Sequence, residues 1–142
     1  MVANAVQANY TMCLDPELRT VEQSSKNSRF LCCLPLYHGL GLILYCHMSA
    51  ARRIPTYVMK QFEIEKLLAH VQRFRITELQ GVPPIIVAIT KHPGVKDGRC
   101  DLSSLKLAFS CAAPLGAEVT VLFEKLWPEG VMKVQQALAQ TE

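Results

Sequence analysis

The run Phe62-Glu-Ile-Glu-Lys-Leu-Leu-Ala-His-Val-Gln-Arg-Phe74, continued by Arg75-Ile-Thr-Glu-Leu-Gln-Gly-Val82 and by Pro83-Pro-Ile-Ile-Val-Ala-Ile-Thr-Lys91, decides the fold. Ile64, Leu67, Leu68 and Val71 recur at i, i+3, i+4 and i+7, while Glu63, Glu65, Lys66 and Gln72 lie off that stripe, which is the period of an amphipathic helix. Ile76 to Val82 reads as a strand. Pro83-Pro84 stands where a helix can begin without losing a needed donor, so residues 85–91 read as a second helix that stops before His92-Pro93-Gly94.

The same alternation extends both ways. Upstream, Met1 to Met12 holds good helix formers with apolar residues at Val2, Val6 and Tyr10, and residues 14–28 read as an exposed loop around Asp15-Pro16. Arg29 to Leu34 is a short apolar run closed by Pro35, as expected of a buried strand; residues 39–50 read as a helix and residues 55–59 as a strand that starts on Pro55. Downstream, residues 95–101 read as a polar loop and residues 104–109 as a strand. Val119, Leu122, Phe123 and Leu126 have helical spacing, ended by Pro128 and Gly130, and residues 131–135 form a last strand. Strands alternating with helices imply an α/β fold with a parallel sheet and right-handed helical crossovers. Ligands of such sheets sit beyond the carboxyl ends of the strands, which directs attention to residues 35–39, 81–84, 110–114 and 136–142.

Composition narrows the function classes. Of 142 residues, 50% are apolar and 19% charged, which excludes a solvated disordered chain. The formal net charge is +3, with no basic run longer than two residues, so nucleic-acid binding is not expected. Six cysteines, at 13, 32, 33, 46, 100 and 111, form no CxxC pair, and Cys32 and Cys33 are adjacent. That spacing argues against a zinc site, even with His38 and His47 nearby, and favours reduced thiols acting as small buried hydrophobes. Met1-Val-Ala-Asn-Ala lacks the charged start of a secretory leader, so the expected location is cytoplasmic. Residues 31–51 carry no charge and are long enough to span a bilayer. Pro35, His38, Gly39, Gly41, His47 and Ser49 interrupt them, so buried core is the reading and no membrane span is expected.

Single residues say little about chemistry. His38 lies between a strand and a helix. Gly39-Leu-Gly41 lacks the third glycine of a dinucleotide fingerprint, and Cys111 as a nucleophile requires a base that sequence does not reveal. Taken in order, however, Pro35-Leu-Tyr-His-Gly39, Val82-Pro-Pro84, Asp101-Leu-Ser-Ser-Leu-Lys106, Ser110-Cys-Ala-Ala-Pro-Leu-Gly116 and Gln140-Thr-Glu142 make a chain that resembles the adenylate-forming acyl-CoA ligases, nearest to the 4-coumarate–CoA ligase and luciferase-like branch. Val2 to Gln7 resembles the helix after that family's phosphate-binding loop.

The resemblance implies a two-step reaction in which a carboxylate attacks the α-phosphate of ATP, giving an acyl-adenylate and pyrophosphate, and coenzyme A then displaces AMP. It implies ATP, Mg2+ and coenzyme A as cofactors, with a fatty, phenylpropanoid or polyketide-type acid as substrate, in secondary or lipid metabolism. His38 would line the acid pocket. Ser110, Cys111, Ala112, Ala113 and Pro114 would lie beside the adenine. Thr141 would hold phosphate oxygen and Glu142 would ligate magnesium.

The departures are also informative. Cys111 stands where the family usually has glycine, and Ala137, Leu138, Ala139 and Gln140 replace a glycine- and aromatic-bearing pattern. Residues 1–142 are expected to be one partial adenylate-forming domain. The family's phosphate loop would lie before Met1, and its C-terminal domain with the catalytic lysine after Glu142. The missing ligase halves are accordingly expected partners, and an exposed sheet edge is expected in the chain alone. The alternative reading is a non-catalytic remnant with at most weak nucleotide or partner binding.

Overall fold

In the computed structural model, Ala3 and residues 27–137 are described; the expected helix over residues 1–12 and most of the loop after it lie outside them. The strands are β1 (Phe30–Cys32), β2 (Thr56–Val58), β3 (Glu78–Gly81), β4 (Leu107–Cys111) and β5 (Lys133–Ala137). They form one sheet in the order β2-β1-β3-β4-β5, with every pair parallel. The α/β reading with helical crossovers therefore holds.

Between β1 and β2 the chain is continuously helical from Gly39 to Arg52, as α1 (Gly39–Gly41), a π-helix (Leu42–Met48) and α2 (Ser49–Arg52). The other helices are α3 (Ile64–Phe74), α4 (Pro83–Lys91), α5 (Pro93–Lys96) and α6 (Ala117–Glu124). Helix α3 starts two residues later than Phe62 and buries Leu67, Leu68 and Val71, the stripe read from the sequence. It ends at Arg75, which adopts the left-handed conformation with φ 52°. Helix α4 takes up both prolines at its start, and the structure adds α5 to a segment expected to be loop, because the His92 ring accepts the Gly94 N–H and caps it. Strand β4 begins later than residue 104, since Asp101 Oδ1 accepts the Ser103 N–H in a local turn that delays the ladder.

Alternation along the strands sorts two faces. Leu31, Cys33, Leu79 and Ala108 meet α3, α4 and α6 through Leu67, Leu68, Val71, Ile85, Ile86, Ile89 and Phe123 in the main core, which Trp127, just beyond α6, also joins. Phe30 and Cys32 on the other face pack with Tyr45 and Ile54 in a smaller cluster under the helix after β1. Glu78 and Gln80 share this second face by register and are buried there. The uncharged segment 31–51 is thus a strand, a turn and a helix. Among the described residues no helix is long and apolar enough to cross a membrane.

Candidate functional site

Strand β1 has β2 on one side and β3 on the other, so successive crossovers leave in opposite directions and lie on opposite faces. At such a switch point the loops at the carboxyl ends of the two inner strands diverge and leave a crevice. Here those loops are residues 33–38 after β1 and Val82 after β3; the turn after β4 is the next neighbour. With strands about 4.8 Å apart, the ends of β1 and β4 are separated by about 10 Å across β3.

His38 is the N-cap of α1. Its Nδ1 accepts the Leu40 N–H at 3.2 Å, its own N–H donates to Pro35 O at 3.2 Å, and its carbonyl accepts from Leu42 N at 2.9 Å. With Nδ1 accepting, the neutral ring carries its proton on Nε2, and the side chain is exposed at the crevice. The turn depends on Gly41, whose backbone presses against Pro35; a Cβ there would lie 3.0 Å from the Pro35 carbonyl carbon and closer still to its oxygen. Tyr45 OH, from the π-helix, donates to Gln80 O at 3.1 Å, and Cys33 Sγ donates to the same carbonyl at 3.3 Å. These two bonds join the His38 turn to β3. Burial holds both groups in their protonated, donating forms: the Cys33 thiol is pushed up to about 11 and the Tyr45 phenol is raised above its usual range.

The residues assigned to the nucleotide divide. Ser110 and Cys111 belong to β4 and are buried, Ser110 with its Oγ unpartnered on the main-core face and Cys111 on the opposite face, its thiol pushed up to about 11 by burial. Ala112, Ala113 and Pro114 are exposed in the turn that follows. Ala112 is left-handed at φ 75°, a conformation that costs a non-glycine residue roughly 1 kcal/mol and sharply redirects the chain. Sequence reading missed the group that secures this turn. Gln136 of β5 accepts the Leu115 N–H at 3.0 Å and donates to Leu115 O at 3.4 Å, a two-point clasp that only the β4–β5 pairing brings into place. Thr141 and Glu142 lie outside the described residues, among which no group of three or more His, Cys, Asp or Glu side chains is placed to hold a metal ion.

Comparison with known proteins agrees with this architecture. The family model described as AMP-binding enzyme matches residues 1–142. The 4-coumarate–CoA ligase CCL1 of Humulus lupulus is 35% identical over 119 residues, which are 82% of this chain and 21% of the relative. The chain thus spans about a fifth of the length of the curated relatives it matches. Among solved structures, the N-terminal domain of FACL13 from Mycobacterium tuberculosis superposes with TM-score 0.69 at 21% identity, over 80% of this chain and 27% of that one. The O-succinylbenzoate coenzyme A synthetase of Bacillus subtilis, in complex with ATP and magnesium, superposes with TM-score 0.69 at 16% identity, over 96% of this chain and 24% of that one. The parallel sheet, its switch point and the family match over residues 1–142 lead to one assignment: the chain belongs to the AMP-binding enzyme family.

Proposed function

We propose that the chain forms the acid- and adenine-facing portion of an acyl- or aryl-CoA ligase. In this reading it takes part in converting a carboxylic acid and ATP into an acyl-adenylate and pyrophosphate, and then into a coenzyme A thioester. One observation carries the reading: the His38 turn and the Ala112–Pro114 turn open on the same edge of the sheet, separated by a single strand. His38 offers Nε2–H toward the reacting carboxylate. Ala112, Ala113 and Pro114 give a small-residue surface that a flat base can approach closely. The likeness to 4-coumarate–CoA ligases supports an aromatic acid. Thr141 and Glu142 are the proposed phosphate and magnesium contacts; magnesium supplies charge neutralisation at the phosphates.

The test is calorimetric titration of the chain with ATP and magnesium, and with a non-hydrolysable sulfamoyl mimic of 4-coumaroyl-adenylate. Saturable binding of both is expected, the mimic binding more tightly, and His38→Ala should weaken the mimic about tenfold while sparing ATP. Absence of binding to a folded chain, or an equal loss for both ligands, overturns the reading. Cys111, buried beside the proposed adenine turn where the family usually has glycine, favours a second reading, a non-catalytic remnant with at most weak nucleotide or partner binding. Acid-dependent pyrophosphate release separates the two.

A further inference from the structure

Among the described residues the ladder between β1 and β3 is paired at Phe30 and Glu78 alone, where the Glu78 N–H reaches Arg29 O at 3.3 Å. Two residues on, Gln80 turns its backbone groups to the same side, and a continued ladder would take up its carbonyl. The strands part there instead, and side chains replace the ladder: Tyr45 OH and Cys33 Sγ donate to Gln80 O at 3.1 and 3.3 Å. Tyr45 follows His38 by seven residues on one continuous helical segment. That segment is π-wound around Tyr45, with the Ser49 N–H donating to Leu44 O, five residues back. A π turn takes in one residue more than an α turn. Rewinding it would therefore turn His38 relative to Tyr45 by about 100°, one residue's step. The bonds of His38 to Pro35, Leu40 and Leu42 are local, so they shape its turn without fixing its distance from β3. The Tyr45 bond does fix it, because the ring is buried against the sheet with Phe30, Cys32 and Ile54.

We propose that Tyr45 is the positioning residue for His38: its hydroxyl, on the Gln80 carbonyl, fixes the winding and the seat of the helix that presents His38 Nε2–H to the crevice. Tyr45 touches neither acid nor nucleotide in this account and acts through His38. The consequence for acid binding rests on the ligase reading, whereas the seating of the His38 ring is a property of the free chain.

The test uses the full 142-residue chain with isotope-labelled histidine at about pH 8, where an ordinary imidazole is neutral. In a long-range nitrogen–proton spectrum, His38 is expected to show Nδ1 as the bare acceptor and Nε2 as the protonated nitrogen. Tyr45→Phe keeps the ring and removes the hydroxyl. It should draw these two resonances together, as the cap loosens and the tautomers mix. His92, whose Nδ1 is capped by the Gly94 N–H, should stay as it was. The same substitution should weaken the sulfamoyl mimic of 4-coumaroyl-adenylate about fivefold and spare ATP. It should add nothing once His38→Ala is present. A role in stability alone would lower the urea midpoint and move neither reading. If Tyr45→Phe does not fold, Cys33→Ala removes the other donor to the same carbonyl and should move the His38 ring in the same direction. An unchanged His38 ring in the folded variant overturns the proposal, as does an equal loss of mimic affinity with and without His38. If the unmodified chain does not bind the mimic, the ligase reading falls, and the ring spectrum still decides whether Tyr45 seats His38.

Discussion

Glu78 and Gly41 show how single residues are constrained by positions that sequence does not reveal. Glu78 is 5% exposed in β3, with Oε1 unpartnered. Burial raises its carboxyl above the ordinary value of 4.5, against smaller opposing effects from the Ser28 hydroxyl and the Arg52 charge. The folded chain therefore holds this proton more tightly than the unfolded chain. Glu78's contribution is fully present below the unfolded value and is lost as pH rises through the raised folded value. Glu78→Gln removes the titration. It should stabilise the chain by on the order of 1 kcal/mol at about pH 7 and leave it nearly unchanged at about pH 4, as urea unfolding at the two pH values would register. Gly41→Ala should act in the opposite direction. Its methyl collides with the Pro35 carbonyl, costing about 2 kcal/mol and disturbing the His38 turn, visible as a lowered urea midpoint and a shifted His38 ring resonance.

At the scale of elements, the amphipathic helix α3 was legible because its burial depends on period alone. The π-helix was not, because the apolar run around it is compatible with any helical winding, and tertiary contacts select one. Its seven residues place Tyr45 over the second face of the sheet, where the hydroxyl reaches Gln80 O. Tyr45→Phe should cost about 1 kcal/mol, since Cys33 Sγ still donates to that carbonyl. Gln136→Ala should release both hydrogen bonds to Leu115 and speed amide exchange across residues 112–116, with less effect on β1 and β3.

At the scale of the molecule, one core under three crossover helices carries the stability. Phe123 is fully buried against Trp127, with ring centroids 5.1 Å apart, and Trp127 Nε1 donates to Leu102 O at 3.0 Å. Phe123→Ala should remove about 3–5 kcal/mol, a large share of a small domain's stability, and circular dichroism should record a steep fall in Tm. The outer strands bound this core unequally. β2 is only three residues long and leaves Val58 62% exposed, so its amides should exchange well before those of β1 and β3.

The sequence by itself determined the α/β class, the existence and approximate limits of the described strands and longer helices, and the ordered motifs that mark the family, because period, proline placement and local motif are properties of neighbours along the chain. Only the tertiary structure decided the strand order, and with it the switch point that sets His38 near the turn after β4. Ser110, expected beside the adenine from the resemblance, has its hydroxyl buried in β4, and Gln136, the first residue of the 136–142 segment, secures the adjacent turn through contacts that the sequence does not show. The pairing of Glu65 with His92 has the same origin. Each is a placement set by residues far apart in sequence, fixed by which strand pairs with which and by how the helices cross over them, and no local pattern encodes that.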